Sequence, residues 1–297
     1  MTGPLTFYLV DVFAEHRYSG NQLAVFVDAG HLTTAEMQAL ALEMNYSETT
    51  FILSSEMRQG GFDVRIFTPA EEVPFAGHPT LGTAFVIREH LVQTPPDEII
   101  LNLPVGSIPV TLDSNGQILW MRQQTPTFSS TVKSATLSKI LDVPNSSFDT
   151  RFPAQIVSTG LPFLIVPLAS LAVVERASIN HRYYPGALEE LESASMLLFA
   201  PETKRAENDL HVRVFAESYG VPEDPATGSA NGCLAAYLSR HQYFGDPEVA
   251  IRVEQGYEIR RPSLLYLRAA GDDDRIRVEV GGMVRPVAAG RLIDSGV

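Results

Sequence analysis

Two stretches of the chain repeat the same series of segments, and this repetition limits the fold more than any other feature of the sequence. Each copy has a strand-like segment, a Val-Pro pair, a glycine-flanked segment and an apolar run, in that order. A helix that is apolar on every face must be buried. We therefore predict two similar lobes, each with a sheet wrapped around one central helix. The first copy comprises Val64–Phe67, Val73-Pro74, Gly77–Gly82 and Ala84–Ile87, and the second comprises Val212–Phe215, Val221-Pro222, Gly228–Gly232 and Leu234–Leu238.

The length of 297 residues is typical of two domains. Short strand-like runs separated by Gly and Pro dominate, and helical signals are fewer, so we predict an α+β protein. One such signal is a capping box formed by Thr33 and Glu36, which predicts a helix after it. The polar stretch Arg122–Lys139 is the predicted crossing between an N-terminal lobe, 1–120, and a C-terminal lobe, 121–283. Further strands are predicted at Leu5–Phe13, Leu23–Val27, Phe62–Phe67, Glu98–Leu103, Gln117–Met121, His211–Phe215, Val249–Val253 and Arg275–Val280.

The charge balance argues against polyanionic partners. Lys and Arg number 22 against 35 Asp and Glu, a formal net charge of -13. Such a field repels phosphate backbones and anionic lipid surfaces, so we expect neither a nucleic acid nor a membrane partner. The first residues lack the basic region of a signal peptide, and the most apolar run, Leu161–Val174, is too short to cross a bilayer. We therefore expect a cytoplasmic protein.

The single cysteine, Cys233, excludes a disulfide framework, a multi-cysteine metal site and a pair of catalytic thiols within one chain. It lies in the apolar run of the second copy and is expected to be a small core residue. No second histidine or carboxylate stands at metal-ligand spacing from His78, so no metal is predicted. The glycine-rich signatures of nucleotide and dinucleotide sites do not occur, so no such cofactor is predicted.

In a duplicated fold of this kind we expect the active site in the cleft between the lobes, where each central helix begins. Free backbone N–H groups and the helix dipole favour an anion there. A small carboxylate substrate would therefore be held despite the negative charge of the protein. Glycines at the helix starts would let the ligand approach the backbone; they are Gly77, Gly82, Gly228 and Gly232.

Three side chains are candidates for the chemistry. Glu48 precedes an apolar strand and would serve as a carboxylate base with a raised pKa, or else is a solvated loop residue. Asp224, beside Glu223, would bind an ammonium group or carry a proton, or else is the N-cap of a helix that begins at Pro225. His78 opens the first apolar helix and would donate to a substrate oxygen or relay a proton, or else is a surface residue.

Five blocks of sequence, taken in order, resemble the phenazine-biosynthesis isomerase (PhzF-like) family over essentially the whole chain. The most specific block reads PFAGHPTLG, from Pro74 to Gly82. The other blocks are Gly20–Phe26, Ser47–Thr49, Phe67–Pro69 and Glu223–Ala230.

The resemblance implies a diaminopimelate-epimerase-like fold, with two pseudo-symmetric lobes that are each a mostly antiparallel rolled sheet around a central helix. In that fold the last strand can return to the first lobe, so 284–297 can belong with 1–120. The family resemblance also implies a homodimer.

The activity that the resemblance implies is isomerisation of trans-2,3-dihydro-3-hydroxyanthranilate without a metal or organic cofactor. Glu48 would remove a proton from one ring carbon and return it to another. Asp224 and His78 would hold and polarise the amino and carboxyl groups and assist proton transfer. The pocket would be lined at the helix starts by Gly77, Gly228 and Ser229.

Two other functions remain open from the sequence. The chain would be an epimerase or racemase of an amino-acid derivative that works without paired cysteines, or a non-catalytic small-molecule binding protein. A two-cysteine racemase is excluded, because the positions that open the two central helices hold His78 and Ser229.

Overall fold

The chain folds into two compact units, residues 1–122 with 281–297 and residues 123–280. It is a mixed α/β protein with extensive mixed β-sheet and few helices. None of the helices in the described part of the chain has the length and apolar character that a bilayer crossing requires. The terminal residues of the predicted lobes, 1–4 and 294–297, lie outside the described residues. The computed structural model describes residues 5–94, 96–187, 191–192, 194–217, 221–271 and 275–293.

The elements of the first unit follow the sequence pattern closely. In Phe62–Phe67 the apolar residues alternate with polar ones and are the buried ones, as in a strand with one face on the core. The predicted capping box is confirmed, since the Thr33 hydroxyl accepts from the Glu36 N–H and the Glu36 carboxylate accepts from the Thr33 N–H. The strands are β1 (Thr6–Val12), β2 (Asn21–Val27), β3 (Glu48–Ile52), β4 (Phe62–Phe67), β5 (Glu72–Val73), β6 (Glu98–Leu103), β7 (Gly106–Leu112), β8 (Leu119–Arg122) and β18 (Val284–Arg291), and the helices are α1 (Thr34–Met44), α2 (Gly77–Val86), a 3-10 helix at Ala29–His31 and a π-helical turn at Ile87–Leu91.

The strands of this unit pair in the order β18-β1-β2-β3-β4-β6-β7-β8, with β5 on part of β4. The β2–β3 and β4–β6 pairs are parallel and the others are antiparallel. Helix α2 contacts strands along this whole order, from β18 to β8. It is the buried central helix that the sequence predicts, and its residues from Gly77 to Ala84 are all buried.

The second unit has more helices outside its sheet than the first. The helices α3, α4 and α5 pack with the sheet in one core cluster that includes Leu137, Val174 and Leu198. The strands are β9 (Thr127–Val132), β10 (Ala154–Ser158), β11 (Pro162–Pro167), β12 (Ser195–Ala200), β13 (Leu210–Ala216), β14 (Val221–Asp224), β15 (Val249–Gln255), β16 (Ser263–Ala270) and β17 (Arg277–Gly282), and the helices are α3 (Ser134–Ile140), α4 (Leu171–Arg176), α5 (Tyr184–Ala187), α6 (Gly228–Arg240) and a 3-10 helix at Asn145–Ser147.

The second unit repeats the pairing pattern of the first. Its strands pair in the order β9-β10-β11-β12-β13-β15-β16, with β14 on part of β13, and the β11–β12 and β13–β15 pairs are parallel. Helix α6 contacts β10, β11, β12, β15 and β16 and is buried from Gly228 to Ser239. The predicted recurrence of a strand and a buried helix is therefore found in each unit, and the Val-Pro segment between them contributes to a short strand, β5 or β14.

The stretch Arg122–Lys139 is not an extended connection. After the unit boundary at Arg122 it forms β9 and most of α3. Polar Ser and Thr residues suit this stretch because β9 is largely exposed to solvent. Val132 and Leu137 are buried in the core of the second unit.

Candidate active site

In the first unit the structure brings Glu48 and His78 together. Glu48 is the first residue of β3, where it pairs in register with Leu23 of β2. His78 is the second residue of α2. The His78 Nε2 and Glu48 Oε2 atoms are 3.5 Å apart, and their side chains are 4% and 19% exposed. Neither the surface position considered for His78 nor the solvated loop considered for Glu48 is what the structure shows.

His78 is neutral at physiological pH. Its burial lowers the pKa of the ring to about 3, and a hydrogen bond with the backbone of Gln22 opposes this only in part. The contact with Glu48 is therefore not an ion pair. A neutral imidazole has one donor and one acceptor nitrogen, so it stays neutral if it accepts a proton at one nitrogen while it gives up the proton on the other.

In the second unit Asp224 is the last residue of β14 and is 7% exposed. The N-cap interpretation of Asp224 is wrong, because α6 begins at Gly228, four residues after Asp224, with Thr227 as its N-cap. Asp224 instead pairs with Val214 of β13, which fixes it at the end of a short strand. Its Oδ2 accepts a hydrogen bond from the Thr227 hydroxyl at 2.5 Å.

The neighbouring acids Glu223 and Asp224 have different partners. Glu223 accepts two hydrogen bonds from the Arg213 guanidinium, at 2.9 and 2.7 Å. Arg213 also donates to backbone carbonyl groups of the α4 segment, including that of Ala177 at 2.7 Å. Glu223 is thus held in a structural ion pair, and Asp224 is the acid of the two that remains a candidate for ligand binding.

The start of α6 is held from two sides. The Gln123 amide donates to the Gly228 carbonyl at 3.1 Å, and the buried Gln255 amide contacts Thr227. Ser229, the second helical residue, is buried. Among the described residues, neither the N-cap of α6 nor that of α2 makes a side-chain capping bond. This suits the prediction that backbone N–H groups at the helix starts bind an anion.

Two of the four glycines, Gly82 and Gly232, are closely packed against other residues of their own unit. A Cβ on Gly82 would lie 2.5 Å from Leu23 Cδ2 and 2.8 Å from Val12 Cγ2, so this glycine lets α2 approach β1 and β2. A Cβ on Gly232 would lie 2.1 Å from Gln123 Oε1. Only Gly77 and Gly228 keep the predicted position at the first residue of a helix.

Near Asp224 the structure shows further residues that the sequence analysis missed. Half-buried Thr227 and buried Asn231 and Gln255 form a hydrogen-bonded set around the start of α6. One available signal was the pair Glu254-Gln255, two polar residues at the end of a strand whose other residues are apolar except Arg252, since buried polar residues need partners.

The candidate residues therefore fall into two groups, one in each unit. Glu48, His78 and Gly77 form the first, and Asp224, Gly228 and Ser229 belong to the second. Their action on one substrate remains a prediction. In the described part of the chain, His, Cys, Asp and Glu residues form no cluster of three that suits a metal ion. Cys233 is a core residue as predicted, and burial raises the pKa of its thiol to about 11.

Comparison with known proteins places nearly the whole chain in one protein family. Residues 10–290 match the family model described as phenazine biosynthesis-like protein, PhzC-PhzF. The chain is 38% identical over 282 residues to trans-2,3-dihydro-3-hydroxyanthranilate isomerase of Pseudomonas chlororaphis, covering 93% of this chain and 95% of the relative. The corresponding isomerase of Pseudomonas aeruginosa is 36% identical, with 96% and 98% covered.

Among solved structures, the phenazine biosynthesis protein of the PhzF family from Bacillus anthracis superimposes with a TM-score of 0.88. It is 28% identical, and the match covers 98% of this chain and 100% of that one. The similarity thus extends over both units.

Proposed function

The chain belongs to the phenazine biosynthesis-like (PhzC-PhzF) family and is an isomerase, and from this we propose that it shifts a proton between two carbons of trans-2,3-dihydro-3-hydroxyanthranilate or a closely similar cyclic amino acid. The observation that carries the proposal is the contact between Glu48 and the neutral, buried His78. The identity of 36–38% to enzymes named for that reaction supports the choice of substrate.

In the proposed reaction, Glu48 accepts the proton as one ring C–H bond breaks, and the electron pair moves into the ring. The double bonds shift, and Glu48 returns the proton to a second ring carbon, where a new C–H bond forms. No atom is gained or lost and no oxidant is needed. A carboxyl group suits this role where it is partly shielded from water, because bulk water would exchange the proton midway.

The other residues hold the substrate and assist the proton transfer. Since His78 is neutral, it can donate a hydrogen bond to a substrate group or accept one from it, and it does not form an ion pair with the Glu48 carboxylate. The Asp224 carboxylate suits the amino group of the substrate, and the start of α6 at Gly228 and Ser229 suits its carboxylate. We propose that both groups of residues serve this one reaction.

We also propose that the fold is the diaminopimelate-epimerase-like arrangement of two pseudo-symmetric lobes. The identical order of strand pairing in the two units supports this, as does the buried helix in each.

The test is mass spectrometry of trans-2,3-dihydro-3-hydroxyanthranilate incubated with the purified protein in heavy water, with the Glu48→Gln variant beside it. We expect product formation to fall at least about 100-fold in the variant, the size typical of losing a general acid–base group. The matched control is Glu98→Gln, since Glu98 is also the first residue of a strand in the same unit but is exposed.

Wild-type turnover by Glu48→Gln would contradict the proposal. Formation of a stereoisomer with unchanged ring double bonds would indicate an epimerase instead. The deuterium content of the product reports on the path of the proton. Unlabelled product would mean that Glu48 carries the proton without exchange with water.

A further inference from the structure

The side chain of Gln255 connects three parts of the segment that carries Asp224. Its Nε2 donates to the Asp224 carbonyl at 2.8 Å and to the Thr227 hydroxyl at 3.1 Å. Its Oε1 accepts from the Thr227 N–H at 3.3 Å and from Asn231 Nδ2 at 2.9 Å. An amide group has two donor hydrogens and two acceptor lone pairs, so every hydrogen-bonding capacity of Gln255 is used and its orientation is fixed.

The Thr227 hydroxyl has one hydrogen, and the geometry determines where it points. At 2.5 Å from Oδ2 of Asp224, the hydroxyl donates to the carboxylate, which has no hydrogen of its own when ionised. The contact with Gln255 is then one in which Thr227 accepts. The hydrogen bonds therefore run in one direction, from Gln255 to Thr227 and from Thr227 to the Asp224 carboxylate.

The strand pairing explains why these residues meet. Asp224 ends β14 and Gln255 ends β15, and both strands pair with β13, antiparallel and parallel respectively. Gln255 is fully buried, so its amide cannot exchange its partners for water. Its hydrogen bonds therefore hold the Asp224 backbone and the Thr227 hydroxyl in place, and the Thr227 hydroxyl in turn bonds the carboxylate.

We propose that Thr227 and Gln255 are positioning residues of the isomerase, which fix the orientation of the Asp224 carboxylate toward the substrate. This inference rests on the proposed role of Asp224 in substrate binding. Neither residue touches the reacting atoms. Their effect is to hold the carboxylate in a constant orientation, and small errors in such placement reduce rates strongly.

The test compares Thr227→Val, which keeps the volume and removes the hydroxyl, with Thr227→Ser, which keeps the hydroxyl. With trans-2,3-dihydro-3-hydroxyanthranilate as the probe, we expect Thr227→Val to lower kcat about 10- to 100-fold with a smaller change in KM. Thr227→Ser should stay within about threefold of wild type. The control is Thr83→Val, which also removes a hydrogen-bonded threonine hydroxyl, here a buried one bonded to Thr50 at 2.9 Å in the first unit.

A double-mutant cycle separates positioning from a purely structural role. If Thr227 acts through Asp224, adding Thr227→Val to Asp224→Asn should lower kcat by less than about twofold, because the carboxylate that it orients is already gone. Full additivity of the two losses would overturn the inference. So would a kcat of Thr227→Val equal to that of Thr83→Val. Gln255→Met, which removes the amide at similar size, is combined with Asp224→Asn in the same way. If Thr227→Val does not fold, the Gln255→Met cycle tests the inference.

Failure of the inference can be distinguished from failure of the proposed function. If Asp224→Asn and Glu48→Gln both lose activity while Thr227→Val does not, only the positioning role is wrong. If Glu48→Gln keeps full activity, the proposed reaction is wrong, and the positioning inference is overturned with it.

Discussion

At the scale of single residues, the one thiol of the chain gives a direct test of burial. Cys233 lies within α6 and is fully buried, and its pKa is raised to about 11 because burial disfavours the thiolate. We expect the native protein to react with a thiol reagent at pH 8 at least about 100-fold more slowly than the urea-unfolded chain. In the folded protein a smaller fraction of the cysteine is thiolate, and the reagent has less access to it. Absorbance of the released chromophore measures both rates. Rapid labelling of the native protein would contradict the buried position of α6.

The residue scale also shows where sequence reasoning reached its limit at the site. The sequence motifs indicate Glu48 and His78, but not their contact, which joins a strand and a helix separated in the chain by β4 and β5. For Asp224 the local sequence also suggests an N-cap, because Asp followed by Pro is typical of a helix start. The structure extends β14 to Asp224 and delays the helix to Gly228, since pairing with β13 outweighs the local preference.

At the scale of elements, the close contact of α2 with its sheet depends on Gly82. We expect Gly82→Ala to lower the free energy of unfolding by about 1–3 kcal/mol, because the added methyl group would overlap Leu23 and Val12 in a filled core. Chemical denaturation measures the loss, followed by the fluorescence of Trp120 in the same unit and by circular dichroism of the whole chain, which also reports on the control. The matched control is Gly186→Ala in α5, where a Cβ would meet nothing within 4 Å and φ is ordinary. Equal stability of the two variants would contradict the packing argument.

Elements were easier to predict than their pairing. Alternating apolar residues located β4, β6, β13 and β15 to within about two residues. The same alternation in His211–Phe215 suggests one polar and one apolar face, yet all of β13 is buried. Arg213 is satisfied by Glu223 of the following strand and by carbonyl groups of α4, which precedes it by 39 residues at Val174. Local pattern therefore identifies strands, but it does not identify which polar side chains a neighbouring element will cover.

At the scale of the whole molecule, two buried histidines in different units affect stability in opposite pH ranges. Burial lowers the pKa of His78 to about 3 from 6.5. Below pH 6.5 the unfolded chain therefore binds a proton here that the folded chain does not, and stability falls as the pH falls. In the second unit, burial disfavours the protonated form of His211, but hydrogen bonds to Glu254 and Glu258 outweigh it and raise the pKa. That stabilisation is present below pH 6.5 and is lost as the pH rises through the raised pKa.

We therefore expect two variants to change different limbs of the pH–stability curve. His78→Gln should reduce the slope between pH 4.5 and 6.5 by up to about 1.4 kcal/mol per pH unit, the effect of one proton. His211→Gln should lower the overall level, since Glu254 loses a charged partner, and should reduce the slope above pH 6.5. Urea unfolding followed by Trp120 fluorescence for the first unit, and by circular dichroism for the whole chain, measures both. The carboxylates of Glu254 and Glu258 do not contribute to these slopes. Burial alone would raise their pKa values, but hydrogen bonds with His211 outweigh it and lower them. The stability that these two groups contribute is therefore lost only below pH 4.5. A slope that is unchanged between wild type and variant would mean that the histidine in question has the same pKa in the folded and unfolded chain.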